Sequence, residues 1–265
     1  MVNRNELDIL ILGCGYTGLR VAKRFVANGA RVTATTRDPR RLAGLGAEII
    51  SLRDVPAHVR RGMLVLHSIP PEAPSDLLDL LGDAPARVVY LSSTGVYGAA
   101  SIVDENTPVD VRTERARARV EVEQSIAARS WSSLILRPAA IYGPGRGIHE
   151  SIQRGVYSIS DTFVSRIHVD DLAAHAGAAL LSTISGSYPV ADEEPCTSRE
   201  MAEFCADLLQ LPALRPGIGE DEPKSRFASN RRVDGSAIRG LLGISLVYPS
   251  YRVGVPAAIA AVRDA

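Results

Sequence analysis

Three glycines, Gly13, Gly15 and Gly18, follow the first apolar run of the chain, residues 9–12. Glycine lets the backbone turn tightly and approach a bound phosphate. The amphipathic stretch behind the turn predicts a helix whose free N–H groups and positive dipole end face an anion. A strand, a glycine turn and a helix in this order are typical of a dinucleotide site. We therefore predict that a dinucleotide pyrophosphate is bound by Gly13, Gly15, Tyr16, Thr17 and Gly18.

The end of the second predicted strand indicates which dinucleotide to expect. An acidic side chain there binds the ribose of NAD, whereas cations suit the 2′-phosphate of NADP. This strand is followed by Arg37, Arg40 and Arg41. Asp38 is an alternative ribose ligand, although an aspartate before a proline also fits a helix N-cap. We predict NADP rather than NAD, bound at Arg37 and Arg41, unless Arg40 and Arg41 form a solvated helix face.

Short apolar segments alternate with helical or loop segments through the first half of the chain, which is typical of a parallel sheet. Parallel crossovers are right-handed and cover both faces of a sheet, so we predict an α/β fold with a doubly wound parallel Rossmann-type sheet. The predicted strands are residues 7–12, 31–36, 47–51, 63–67, 87–92 and 133–137.

The second half of the chain is less regular. It contains a predicted helix over residues 170–181, a strand over 188–190 and a helix over 198–211 with Ser198 as its N-cap. Prolines are frequent beyond residue 193. We predict an NAD(P)-binding Rossmann domain over residues 1–192 and a small substrate-binding lobe over 193–265, which includes part of 146–165.

Charge and cysteine content exclude several other classes of protein. Thirty basic and thirty acidic residues leave no net charge, so we expect no nucleic-acid or membrane partner. Three cysteines without a C-x-x-C pair favour a reducing cytosol over a disulfide framework or zinc site. No apolar run reaches the ~18 residues of a membrane span, and the five histidines are scattered. We expect a cytoplasmic protein without a metal site, whose partner is an unidentified small molecule and whose oligomeric state stays open.

Several later segments together carry a family resemblance. They are residues 66–70 (LHSIP), 91–98 (LSSTGVYG), 136–145 (LRPAAIYGPG) and 166–173 (RIHVDDLA). In this order they resemble the extended short-chain dehydrogenases/reductases and, more narrowly, the NAD(P)-dependent epimerase/dehydratase family. The resemblance covers nearly the whole chain, and it implies a dinucleotide cofactor.

The resemblance also implies roles for individual residues. Ser68 and Ile69 would lie along the cofactor, with Ser92 beside it, and Pro138 would border the nicotinamide. Ser93 would supply the hydroxyl that hydrogen-bonds a substrate oxygen. Alternatively, the two serines only satisfy backbone groups at the end of the strand.

The proton-transfer pair of the family is missing. Active members carry a tyrosine and a lysine four residues apart on the helix after the fifth strand. Counted back from Glu123, these positions are Arg115 and Arg119, and neither tyrosine nor lysine occurs between Gly98 and Ile141. A guanidinium, with a pKa above about 12, does not exchange protons near neutral pH. Arg119 can still donate to the cofactor ribose; alternatively, both arginines belong to a salt-bridged helix surface.

Two side chains remain as catalytic candidates. Ser93 and Tyr97 both follow the fifth strand, at the carboxyl edge of the sheet where ligands bind. Tyr97 is alternatively a packed aromatic residue. The histidine at the end of the fourth predicted strand, His67, is interpreted in the same way, as a hydrogen-bonded core residue. Tyr142 follows the sixth predicted strand and is a second phenol that would approach a substrate, and Lys224 is a third, weaker candidate.

The functional hypothesis has two forms. In the first, the protein binds NADP(H) and is an oxidoreductase or epimerase that uses a non-standard proton relay. Its substrate would be a small carbonyl, hydroxyl or nucleotide-sugar-like compound. In the second, it is a non-catalytic NADP(H)-binding sensor or regulatory protein. Whether the protein is an enzyme stays open at this point.

Overall fold

A seven-stranded parallel sheet forms the centre of the computed structural model, which describes residues 7–71, 76–155, 157, 159–212 and 230–263. Across the sheet, the strands are β11 (Gly186–Val190), β7 (Ser132–Pro138), β5 (Arg87–Leu91), β4 (Leu64–His67), β1 (Asp8–Leu12), β2 (Arg31–Thr35) and β3 (Glu48–Ile50). The chain runs outward from β1 to β3 and then crosses to β4 on the other side. The direction of winding therefore reverses between β1 and β4, as in a doubly wound Rossmann-type sheet.

Helices cover both faces of this sheet. On one face, α1 (Tyr16–Ala27) and α5 (Val169–Leu181) bury Val21, Phe25 and Leu172 against the strands. On the other face, α3 (Glu114–Ala127) buries Ile126 beside Trp131. The strands are buried on both sides, which explains why they appear in the sequence as nearly continuous apolar runs.

The remaining strands are short. Three two-stranded pairs join β6 (Ile102–Val103) to β13 (Arg232–Val233), β8 (Ala140–Tyr142) to β10 (Arg166–His168) and β9 (Phe163–Val164) to β12 (Cys196–Thr197). The other helices are α2 (Val55–His58), α4 (Ile148–Gln153), α6 (Ser198–Leu208), α7 (Ser236–Leu242) and α8 (Tyr251–Arg263).

The C-terminal residues pack in two places. Met201 of α6 and Val255 of α8 share a separate apolar cluster with Ile152 of α4. In contrast, Ile238 of α7 belongs to the main core beside α5. The division at residue 192 stays a prediction, since the later residues contribute to both clusters.

Of two predicted caps, one lies one residue from the observed position, and the other is the N-cap but makes no side-chain bond. Ser198 was expected to cap its helix, but the N-cap is Thr197, whose hydroxyl accepts from the Glu200 amide at 3.0 Å while the Glu200 carboxylate accepts from the Thr197 amide at 2.7 Å. This reciprocal capping box satisfies two amides, which a cap at Ser198 would not do. Asp38 precedes a 3₁₀ turn, Pro39–Leu42, without a side-chain cap bond.

Two searches of the described residues gave no candidates. No helix in the described ranges is long and apolar enough to cross a membrane. Likewise, no group of three or more histidine, cysteine or acidic side chains within those ranges is arranged to hold a metal ion.

Candidate functional site

The three positions of the turn require glycine for different structural reasons. Gly13 has a φ of +82°, and a Cβ there would lie 2.6 Å from the Ile69 side chain. A Cβ on Gly18 would lie 3.0 Å from the Gly13 carbonyl oxygen, so this glycine brings α1 close to β1. Gly15 faces open space, since a Cβ would meet nothing nearer than 3.9 Å. These are the tight turn, the close helix packing and the accessible backbone that a pyrophosphate site requires.

Side chains from two neighbouring strands hold the turn in place. The Thr35 hydroxyl accepts from the Gly13 amide at 2.9 Å, and the Thr35 carbonyl accepts from the Cys14 amide at 2.7 Å. Ser68 donates to the Gly13 carbonyl oxygen at 2.6 Å. Ser68 therefore supports the backbone of the turn, and Thr35 is a supporting residue that the sequence analysis did not identify.

A cavity of about 760 Å³ lies in front of this turn. We call it the glycine-turn cavity. It is lined by Gly13, Cys14, Gly15, Tyr16, Thr35, Thr36, Arg37, Asp38, Arg41, Leu52, Ser68, Ile69, Pro70 and Arg146. Thr17 and Gly18 are buried behind it in the first turn of α1. Most of the predicted cofactor-binding residues of the first two strands therefore surround one space.

The charged residues after β2 are arranged unequally around this cavity. Asp38 pairs with Arg40, Nε to Oδ1, at 2.9 Å and lies 3.6 Å from Nε of Arg41. Arg37 and Arg41 line the cavity, and Arg40 does not. Among the described residues, Arg37 has no ion-pair partner. The single carboxylate here is thus offset by the arginines beside it, which leaves the cavity edge basic.

A second cavity, of about 440 Å³, lies at the carboxyl ends of β5 and β7. We call it the Ser93 cavity. It is lined by Ser92, Ser93, Thr94, Gly95, Thr113, Arg115, Ala116, Arg119, Pro138, Ala139, Ala140, Ile141, Arg146, Val164, Ser165, Arg231 and Val233. The structure thus brings Ser93, Pro138, Arg115 and Arg119 together. Arg146 lines both cavities, so the two spaces border the same side chain.

Ser93 keeps a hydroxyl proton available for a ligand. It caps a 3₁₀ turn, Thr94–Tyr97, and its oxygen accepts from the Gly95 amide at 3.1 Å. The hydroxyl therefore satisfies a backbone group, as the structural alternative expects. It also borders the cavity, where an O–H can still donate.

Tyr97 lies on the other side of this turn, away from both cavities. Its ring is fully buried, and its hydroxyl accepts from Arg137 Nη1 at 3.2 Å. Burial raises the pKa of the Tyr97 phenol. The structure thus places Tyr97 as a packed aromatic residue and does not bring it to the space that Ser93 borders, contrary to the expectation of a shared role.

Arg137 and Glu123 form a buried ion pair behind the cavity. Their atoms Nη2 and Oε2 are 2.6 Å apart, and Ser92 donates to Glu123 Oε1 at 2.5 Å. Ser92, Glu123, Arg137 and Tyr97 therefore form one chain of contacts that joins α3, β5 and β7. Ser92 is held by this network, although it also lines the Ser93 cavity.

Two further side chains considered from the sequence, His67 and Tyr142, do not line either cavity. His67 is buried against Tyr90, and burial lowers its pKa to about 4, which fits a neutral core histidine. Tyr142 is buried and donates to the Ser250 carbonyl oxygen at 3.3 Å. Lys224 lies outside the described residues.

Two arginines of the Ser93 cavity were not identified from the sequence. Arg231 is buried and donates to the backbone carbonyls of Ala100 at 3.1 Å, Gly98 at 2.5 Å and Thr94. It ties the turn after β5 to the C-terminal part of the chain. Arg146 is exposed, with its guanidinium 5.4 Å from the centre of the Tyr16 ring. The Pro-Gly-Arg-Gly sequence around Arg146 was a signal for an exposed cation in a turn.

Comparisons with known proteins agree with this geometry. Residues 69–183 match the model of the NAD dependent epimerase/dehydratase family. A 3-diazoavenalumate denitrifying reductase from a Streptomyces species is 24% identical and aligns with 94% of this chain and 99% of its own length.

Two solved structures share the fold over nearly the full length. A functionally unknown conserved protein from Silicibacter pomeroyi is 30% identical, with a TM-score of 0.81 and coverage of 96% of this chain and 98% of its own. A putative NAD-dependent epimerase/dehydratase from Methylobacillus flagellatus is 26% identical, with a TM-score of 0.79 and coverage of 97% and 99%. Residues 69–183 therefore match the NAD-dependent epimerase/dehydratase family, and the chain as a whole shares the fold of these two structures.

Proposed function

We propose that this protein is an NAD(P)(H)-dependent reductase for a small substrate. The observation that carries the proposal is that one side chain, Arg146, lines both the glycine-turn cavity and the Ser93 cavity. A dinucleotide whose pyrophosphate lies at Gly15 would extend toward Ser93 and Pro138. The name of the Streptomyces relative, a reductase, supports the same class of reaction.

The cofactor, when bound, would supply the hydride. The residues of the Ser93 cavity would bind and orient the substrate, with the Ser93 hydroxyl donating to the atom that gains electron density. Among the described residues that line this cavity there is no tyrosine, lysine, histidine or carboxylate. In this proposal water supplies the proton that balances the hydride, because the serine and arginine side chains among these described residues do not titrate near neutral pH.

This composition favours reduction over epimerisation. An epimerase must take a proton from its substrate and later return one, so it needs a base that titrates near the working pH. A reductase only has to let a proton reach its product. The cavity lining meets the second requirement without a further side chain.

We propose NADP(H) as the preferred cofactor. Arg37 and Arg41 lie at the edge of the glycine-turn cavity, where the 2′-phosphate would be recognised, and Asp38 is already offset by Arg40 and Arg41. An isolated carboxylate that would favour a free 2′-hydroxyl is not present among the described lining residues. The family itself is described as NAD-dependent, so NAD(H) is the alternative cofactor.

Calorimetric titration with NADPH and with NADH tests this assignment. We expect tighter binding of NADPH, and we expect Arg37→Ala to weaken NADPH at least tenfold while leaving NADH nearly unchanged, since a hydrogen bond to a charged group contributes about 1.5–3 kcal/mol. Arg61→Ala is the matched control because Arg61 is exposed and does not line the cavity. Equal affinities for both cofactors in the wild type and in Arg37→Ala would refute the NADP assignment.

The second candidate function is a non-catalytic NADP(H) sensor, which the same lack of a titratable group favours. Both candidates predict that NADPH stabilises the protein, by about 2.7 kcal/mol at 100 times the dissociation constant. They differ in turnover. Oxidation of NADPH that requires an added electrophilic substrate supports the reductase, whereas stabilisation without turnover on any compound that binds the Ser93 cavity supports the sensor.

A further inference from the structure

We propose that the Arg146 guanidinium binds the pyrophosphate of the dinucleotide cofactor, as a side-chain ligand in addition to the backbone N–H groups of the glycine turn. This inference rests on the proposed function, because it names a further cofactor-binding residue of the same site. It concerns binding, however, and can be tested without turnover. The position of Arg146, its lack of an internal partner and the contacts of its turn support it separately.

The first argument is the position of Arg146 between the two cavities. Among the described residues, it alone lines both the glycine-turn cavity and the Ser93 cavity. In the proposed function, the adenosine half of the cofactor lies near Arg37 and the nicotinamide half lies near Ser93. The pyrophosphate is the part of a dinucleotide that joins these halves. We therefore expect it beside the side chain that borders both spaces.

The second argument is that the Arg146 guanidinium is available to a ligand. Two arginines contact the Tyr16 ring, with guanidinium carbons 4.4 Å (Arg20) and 5.4 Å (Arg146) from its centre. Arg20 is committed, since its Nε donates to Asp170 at 2.7 Å and its Nη1 donates to the Tyr16 carbonyl oxygen at 2.8 Å. Within the described ranges, the Arg146 guanidinium has no hydrogen-bond or ion-pair partner. Its planar N–H groups can donate two parallel hydrogen bonds to phosphate oxygens.

The third argument is that the turn carrying Arg146 is fixed against the glycine turn. The Tyr16 hydroxyl donates to the Pro144 carbonyl oxygen at 3.0 Å. Gly143 and Arg146 exchange two backbone hydrogen bonds, of 2.9 and 3.0 Å. A Cβ on Gly143 would lie 2.8 Å from the Tyr16 hydroxyl oxygen, so glycine permits this close approach. Because Tyr16 is the first residue of α1, these contacts keep Arg146 beside the helix end that faces the pyrophosphate.

The charges around the glycine-turn cavity agree with this assignment. Its described lining contains three cations, Arg37, Arg41 and Arg146, and one carboxylate, Asp38. Arg37 and Arg41 both follow β2, where the proposed function places the 2′-phosphate. Arg146 comes from the turn after β8 and is the remaining cation for the negative charge of the pyrophosphate.

The test is a calorimetric titration of the full-length protein with NADPH, NADH and ADP-ribose, which keeps the pyrophosphate but has neither the 2′-phosphate nor the nicotinamide. We expect Arg146→Gln to weaken all three ligands by similar factors, about tenfold or more. Arg146→Lys should restore part of the affinity, because it keeps the charge but not the paired donors. Arg154→Gln is the matched control and should bind all three ligands like the wild type, since Arg154 is exposed at the end of α4 and lines neither cavity.

Three results would overturn the proposal. Unchanged binding of ADP-ribose to Arg146→Gln would exclude the pyrophosphate contact, and a loss confined to NADPH would assign Arg146 to the 2′-phosphate instead. A lower Tm of ligand-free Arg146→Gln, without recovery of affinity in Arg146→Lys, would assign it a structural role.

The same titrations separate this proposal from the proposed function. A wild type that binds none of the three ligands contradicts both. A wild type that binds NADPH without oxidising it on any substrate contradicts the reductase, whereas the expected losses in Arg146→Gln would still support the pyrophosphate contact.

Discussion

Replacing Glu123 by glutamine is expected to destabilise the protein strongly, although the two side chains have nearly the same shape. Glu123 and Arg137 have side chains only 6% and 11% exposed, and their atoms Oε2 and Nη2 are 2.6 Å apart. The variant would leave the Arg137 guanidinium buried without a negative partner. Arg137 also donates to Tyr97, but that contact provides no compensating charge.

The size of the effect follows from the burial of the pair. Removing one partner of a buried ion pair costs about 3–5 kcal/mol. The amide oxygen of glutamine can still accept a hydrogen bond from Ser92 or Arg137, so we expect the lower end, about 3 kcal/mol. For a chain of this size that corresponds to a fall in Tm of about 6–12 °C.

Urea denaturation of four proteins measures this effect: the wild type, Glu123→Gln, Arg137→Met and the double variant Glu123→Met/Arg137→Met. The double variant should be more stable than Arg137→Met, because it leaves neither charge unpaired. Glu121→Gln, on the exposed side of the same helix, is the control and should change stability by less than about 0.5 kcal/mol. A loss of less than about 1 kcal/mol in Glu123→Gln would refute the view that this pair is buried and structurally required.

Further predictions concern the glycine turn and the buried ionisable groups. Gly13→Ala should lower the Tm, because alanine at a φ of +82° is strained and its Cβ would meet Ile69. Gly15→Ala should retain the Tm and lose NADPH affinity, because its Cβ fills the open space in front of the turn. Equal effects of the two variants in thermal denaturation and in calorimetric titration with NADPH would contradict the assigned roles. Burial raises the pKa of Asp192 from 3.8 to about 8, so its contribution to stability is lost as pH rises from about 4 to 8. The Tm of Asp192→Asn relative to the wild type should therefore increase between pH 5 and pH 9, and a constant difference would contradict this. Burial lowers the pKa of His168 from 6.5 to about 4, so the wild type should lose stability as the pH falls from about 6.5 to about 4. The His168→Gln variant should lose less stability over the same interval, and the Tm of both proteins measured as a function of pH tests this.

The sequence predicted the sheet well because its strands are buried on both faces. A strand in that position needs apolar residues throughout, so β1, β4 and β5 are visible as apolar runs. The N-cap of α6 was wrong by one residue because threonine and serine stand side by side, and only the capping box with Glu200 distinguishes them.

The direction of single side chains could not be predicted in the same way. Tyr97 turns into the core because a 3₁₀ turn follows Ser93 and because Arg137, forty residues later, meets its hydroxyl. Arg146 and Arg231 reach the Ser93 cavity from a loop and from the C-terminal part of the chain. Their contribution depends on tertiary contacts that no local pattern specifies.

A crystal structure with NADPH bound tests the central claim most directly. We expect the pyrophosphate at the Gly15 backbone, the 2′-phosphate against Arg37 and the nicotinamide ring in the Ser93 cavity beside Pro138. A pyrophosphate bound away from the glycine turn, or a nicotinamide that lies outside the Ser93 cavity, would contradict the account.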